Sequence, residues 1–88
     1  MVDNKQTGHR QRLRDRFTRG DESSRSEETL LELLLTYAIP QRDVQPLAKK
    51  LLSDLGGLSA VLEAPMDTLS QIDGIKENSA VLIKLVDW

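Results

Sequence analysis

Cysteine is absent from this chain of 88 residues, and histidine occurs once, as His9. The first absence removes disulfides, thiolate metal sites and cysteine nucleophiles. The second leaves too few imidazoles for the usual zinc or non-haem iron ligand sets. No acidic loop has the spacing of a calcium site, so neither a metal nor any other cofactor is expected. Aromatic residues are scarce as well. Phe17, Tyr37 and Trp88 are all there are, too few for a platform on which single-stranded bases stack. No run of about 18 apolar residues exists, which excludes a membrane-spanning helix from the expected architecture. The polar opening MVDNKQTGHR does not resemble a signal peptide, and the reading is cytoplasmic.

What is present is leucine and charge. A chain this short makes one domain at most, and it buries about 60–70% of its surface on folding. The formal net charge of −2 conceals a segregation: residues 1–20 hold Lys5, Arg10, Arg12, Arg14, Arg16 and Arg19 against Asp3 and Asp15, a balance of +4, leaving −6 on the remainder. A basic arm on an acidic body either meets a polyanionic partner or pairs with its own domain.

Periodicity predicts helices throughout and no strand. Residues 1–7 read as a disordered tail and 8–88 as one helical domain. A first helix over residues 8–18 carries Leu13 and Phe17 at i, i+4 as its apolar stripe. On that register Arg10 and Arg14 pack or pair with the domain, while Arg12, Arg16 and Arg19 face solvent. Gly20 ends this helix and DESSRS is a polar loop. Ser24 and Glu27 have capping-box spacing, with Ser26 a rival N-cap, ahead of TLLELLLTYAI. That segment is apolar over most of its circumference apart from Glu32 and Thr36, which predicts a central helix buried on several sides. Pro40 stops it.

Asp43 is the expected N-cap of a third helix, with Pro46 in its first turn and Leu47, Leu51, Leu52 and Leu55 inward. Gly56-Gly57 terminates it. A short helical turn, LSAVLEA, comes next. Pro65 at a first helical position opens a fifth helix through Ile72. A sixth runs from Lys76 to Val86 with Ala80, Ile83 and Val86 inward.

The chemistry-bearing stretch is residues 69–83, two helices hinged at Asp73-Gly74. Ile72 and Ile75 bracket the turn, Gly74 permits a backbone conformation other residues resist, and Ala80 allows close helix approach. This arrangement resembles the helix-hairpin-helix motif, in which hydrophobic-x-Gly-hydrophobic-Gly is followed by three residues and Ala. Lys76 stands in place of the second glycine and Asn78 where many members are basic. In such a hairpin the unpaired N–H groups at the start of the second helix dock a phosphate without reading sequence. Asp73 and Glu77 oppose that docking, and Lys76 and Lys84 offset them. The alternative is a hairpin kept for packing alone. Residues 51–62 resemble the connector between paired hairpins in excinuclease and Holliday-junction proteins. On that likeness the turn AIPQRDVQP, with Pro40 and Arg42 where glycines would stand, is the degenerate first partner of a pair.

Taken together, GHRQRLRDRF (8–17), LLELLLTYAIPQRDVQPLAKKLL (30–52) and GGLSAVLEAP…IDGIK look like the N-terminal domain of the RadC family, in that order and over nearly the whole chain. The resemblance implies an all-α, compact domain of five to six helices with a helix-hairpin-helix motif, the second hairpin better formed than the first. It also implies a C-terminal JAMM/MPN metalloprotease-like domain, absent here. The chain reads accordingly as a fragment of a longer protein whose family was named for DNA repair.

Two functions are compatible with these features. One is a non-catalytic module that binds DNA weakly and without sequence preference. Its contacts are Arg12, Arg16 and Arg19 of the first helix, Gly74, Ile75, Lys76 and Ser79 of the second hairpin, and Lys84, and it tethers the JAMM/MPN domain. The other is a protein-protein or interdomain interaction module in which the hairpin is purely structural, with Leu85, Val86 and Trp88 forming an exposed apolar patch. Catalysis is not expected. Asp21-Glu22 and Glu27-Glu28 suit helix starts, and His9, with no nucleophile beside it, reads as a surface or capping histidine.

Overall fold

A computed structural model of the chain describes residues 5–20, 26–40 and 42–88, with the side chains of residues 5–7 left out. Six helices succeed one another among the described residues: α1 (Lys5–Thr18), α2 (Glu27–Thr36), α3 (Gln45–Leu55), α4 (Leu58–Glu63), α5 (Met66–Ser70) and α6 (Glu77–Asp87). No strand occurs among them, and no helix is long and apolar enough to cross a membrane.

Helix α1 begins at Lys5, three residues ahead of the expected Gly8. The stretch read as a tail is therefore helical from residue 5, and residues 1–4 lie outside the described part. Leu13 is buried at 3% exposure whereas Phe17, one turn on, keeps 40%. The helix unwinds where expected, with Arg19 and Gly20 donating back to Asp15 O and Phe17 O and Gly20 at φ 76°.

At α2 the cap is Ser26, whose Oγ accepts from Thr29 N at 3.1 Å. The rival capping box begins at Ser24, which lies outside the described residues, as do Asp21, Glu22 and most of the DESSRS loop. Glu27 and Glu28 place negative charge in the first turn, complementing the dipole. The helix touches α1, α3 and α4, so its leucine-rich circumference makes it the hub. Leu31 and Leu35 have no exposed surface.

Helix α3 starts one residue later than its cap signal implied. Val44 is the N-cap without a side-chain bond, and Asp43 Oδ1 accepts from Gln45 N at 3.0 Å from one position further out. Pro46 falls in the first turn as expected, where a missing N–H costs nothing. Leu47, Ala48 and Leu51 go to the core, with Leu52 and Leu55 half-buried against it. Gly56 ends the helix in the left-handed region at φ 101°, its N–H donating to Leu52 O.

Three more boundaries move. Pro65 is the N-cap of α5 instead of its first helical residue, and α5 stops at Ser70, two residues short of Ile72. Lys76 is likewise the N-cap of α6 and not its first residue. Ala80 and Ile83 are fully buried on α6, while Val86, expected inward, is 51% exposed. The core closes around Leu31, Leu35, Leu51, Leu69 and Ile83. Together with Val61 of α4 they form one aliphatic cluster shared by α2, α3, α4, α5 and α6.

Candidate functional site

Two turns define the most built part of the surface. The first joins α2 to α3 through residues 37–44, and the second joins α5 to α6 through residues 71–76. Their facing walls enclose a cleft of ≈ 430 Å³, lined on one side by Ile39, Pro40 and Arg42 and on the other by Gly74, Lys76 and Ser79.

The second turn arises from its own sequence. Ile72 N donates to Leu69 O and Ile75 N to Ile72 O at 3.1 and 3.0 Å, winding the chain tightly. Ile75, 4% exposed, is drawn into the core and anchors the bend. Gly74 holds φ 101°, and a Cβ there would meet Leu47 Cδ1 at 3.2 Å. Its torsion therefore favours glycine, and an added carbon would further crowd the Leu47 methyl. From this turn α6 sets off without a side-chain cap. The first bond of its ladder is Ala80 N to Lys76 O, 3.0 Å. The N–H groups of Glu77, Asn78 and Ser79 thus have no carbonyl behind them in the helix.

The first turn is held from outside. Arg10, 8% exposed, extends its guanidinium from α1 and donates to Thr36 O (2.7 Å), Ile39 O (2.6 Å) and Arg42 O (2.7 Å). One planar cation thus gathers a carbonyl at the C-terminus of α2, where the negative end of the dipole lies, and two carbonyls of the turn that follows. Beside it, Arg14 lies 4.8 Å over the Tyr37 ring, a cation–π contact. His9 Nε2 meets Glu32 Oε2 at 2.7 Å, giving the carboxylate that α2 buries at 4% exposure a partner.

The expected pairing of Arg10 and Arg14 with the domain is what forms, though through carbonyls and a ring. His9 is neither a free surface residue nor a helix cap. The sign that pointed to its role is Glu32 among leucines, a carboxylate in an apolar helix that needs a polar partner.

The expected nucleic-acid residues fall into separate groups. Gly74, Lys76 and Ser79 meet at the cleft, together with Arg42, which the expected set left out. Ser79 is 2% exposed, yet it lines the cleft, and no hydrogen bond of its hydroxyl is found among the described residues. Ile75 differs from expectation, because its amide is already engaged with Ile72 O and its side chain is buried. Lys84 is also engaged: its Nζ donates to Leu62 O at 3.0 Å and pairs with Asp87 at 3.3 Å, well along α6 from the cleft.

Arg12 and Arg19 are exposed as expected, whereas Arg16 is half-buried. At 100° per residue Arg12 stands about 200° round α1 from Arg10, whose guanidinium grips the first turn. Arg12, and Arg19 with it, therefore turn away from the cleft instead of extending it. Among the described residues no group of three or more His, Cys, Asp or Glu is placed to hold a metal ion.

The sequence matches the family model described as UPF0758 N-terminal over residues 5–81. A UPF0758 protein of Fusobacterium nucleatum is 42% identical over 86 residues, which is 98% of this chain and 37% of that protein. A UPF0758 protein of Ruegeria pomeroyi is 39% identical over 79 residues, 90% of this chain and 35% of that one. Another, from Rhodobacter capsulatus, is 39% identical over 75 residues, 85% of this chain and 35% of its own length. The chain thus spans little more than a third of the curated relatives it matches. No solved structure matches it.

Proposed function

The chain belongs to the UPF0758 N-terminal family, and we propose that within it this domain is a non-catalytic module that docks the phosphate backbone of DNA in the cleft between its two turns. One observation carries the reading. At the cleft, an uncapped helix start presents the N–H groups of Glu77, Asn78 and Ser79 beside Arg42, Lys76 and the hydroxyl of Ser79. Amide donors at the positive end of a dipole, flanked by two cations, suit an oxygen anion. They carry no information about base sequence. Glu77 on the same rim opposes the anion and keeps binding weak.

The footprint is small. With Arg12 and Arg19 facing away and Lys84 engaged elsewhere, the cleft neutralises only one or two phosphates. Affinity then belongs in the non-specific range, about 10⁻⁴–10⁻⁶ M, and falls with salt more gently than for a protein with many phosphate contacts. In the longer protein the module tethers its C-terminal neighbour, which by resemblance to the RadC family is a JAMM/MPN domain.

The test is an anisotropy titration with a short labelled duplex at low and at moderate salt, run on the chain and on Arg42→Gln/Lys76→Gln. Saturable binding at low salt, weakened about tenfold or more by the double substitution, is the expected result. Absence of binding at low ionic strength, or binding that the double substitution leaves unchanged while Arg12→Gln/Arg19→Gln abolishes it, refutes the cleft as the site. The other reading, an interaction module, attaches to the adjoining surface, which meets the cleft at Ala38, Glu77 and Asn78.

A further inference from the structure

Helix α2 is apolar almost all the way round, and a helix of that kind is normally covered all the way round. Here α1, α3 and α4 cover it, and one strip stays open. Along that strip Leu30, Leu33 and Leu34 are only half-buried. They floor an apolar groove of ≈ 330 Å³ whose walls include Phe17, Leu62 and Val86. Tyr37, 63% exposed, stands at the end of this groove and also borders a second hollow that runs along α6 past Val81 and Leu85. Val81 and Leu85 are 48% and 69% exposed. At i, i+4 on one helix they make a continuous ridge. The two hollows share Tyr37 and so form one furrow across α1, α2 and α6, apolar along α2 and edged by Glu77 and Asn78 at the start of α6. Contiguous exposed apolar surface of this kind marks interaction sites.

We infer that this furrow is the seat of the polypeptide C-terminal to residue 88 in the longer protein, held there through an apolar face. Three observations select that occupant. The matched relatives run on for well over half their length outside the matched stretch, and the matched family is the N-terminal one, so the additional chain comes after α6. Val86, at the last turn of α6, is itself part of the groove wall. Chain leaving α6 therefore departs at the lip of the furrow, where a short connection gives a high effective concentration and lets modest apolar contact suffice. The rim nearest α1 carries a cation, Arg14, stacked on Tyr37. The docked face accordingly has acidic residues on the side turned to α1.

The test uses the full-length protein with a specific protease site inserted after residue 88. After cleavage the two parts are tracked by size-exclusion chromatography, with Tyr37→Ser/Val86→Asp as the variant. Both substituted side chains are more than half exposed, and the helical circular dichroism of the variant checks that the domain stays folded. Co-elution of the native pieces, with the variant weakening their association about tenfold or more, is expected for apolar anchors at an interface centre. Separation of the native pieces at micromolar concentration overturns the inference. So does self-association of the 1–88 piece through this face, which makes the occupant a second copy, and so does association that the variant leaves unchanged. The furrow adjoins the cleft at Ala38, Glu77 and Asn78. Arg42 and Lys76, however, line only the cleft and Tyr37 and Val86 only the furrow, so the two double substitutions separate failure of this inference from failure of DNA binding.

Discussion

The two turns that flank the cleft make the same kind of connection, a reversal between helices, by opposite physical means. The α5–α6 turn is self-sufficient. Its bonds run between residues three apart, its one unusual torsion falls on Gly74, and Ile75 pins it to the core. The α2–α3 turn has no glycine and contains Pro40. Two of its carbonyls, and that of Thr36 at the end of α2, are bonded by Arg10 from a helix 26 to 32 residues earlier. A local device can be replaced only locally, whereas a remote clamp makes one turn depend on the docking of another helix. The basic N-terminal arm is thus divided, with Arg10 and Arg14 holding the scaffold and Arg12 and Arg19 exposed.

Breaking the clamp has the largest expected effect. Arg10→Ala removes three charge-assisted bonds, one buried and two part-buried, lowering unfolding free energy by about 3–5 kcal/mol. Chemical denaturation monitored by circular dichroism measures it. Arg10→Lys recovers only a minor part, because a single ammonium cannot reproduce the planar fork. If Arg10→Ala is neutral, the first turn does not depend on α1.

Next comes the local device. Gly74→Ala forces a side chain into a left-handed torsion and against Leu47, destabilising by about 1–3 kcal/mol. Gly56→Ala, at the same φ but with nothing within 4 Å of the added carbon, isolates the torsional share and costs less. Equal losses at the two glycines, read from thermal unfolding midpoints, indicate that close approach to Leu47 contributes nothing.

The smallest expected change has the opposite sign. Lys76 sits at an N-cap in extended conformation (φ −108°, ψ −178°) with no capping bond. Lys76→Asp supplies an acceptor to the free amides and stabilises the fold by about 0.5–1 kcal/mol. The same carboxylate occupies the donors that the proposed phosphate needs, so duplex binding falls as stability rises. A variant that gains stability and keeps full DNA affinity places the anion elsewhere.

Much of the fold could be read from residues within four of one another. Ser26 before the glutamates, Pro46 in a first turn, Gly56 after a leucine stripe and Gly74 between two isoleucines each carry a short-range reason for a boundary. Three helix starts shifted by a single residue: Val44 caps α3 in place of its neighbour Asp43, and Pro65 and Lys76 are caps instead of first helical residues. Helix α1 began three residues early and α5 ended two residues early. The site was half legible. The hairpin pattern located Gly74, Lys76 and Ser79. It gave no means of seeing that Arg42 joins them from the other turn, or that Lys84 is committed to Leu62 O.

The sequence by itself determined that the protein is helical, where most helices break, and that no sulfur- or histidine-based metal site is available, since each of those rests on composition or on contacts within one turn. Tertiary structure alone decided which arginine grips the first turn, which residue gives Glu32 a hydrogen-bond partner, and which side of α2 stays uncovered. Those outcomes join groups more than twenty residues apart, and the free energy that selects them comes from burial, which exists only once the helices have packed.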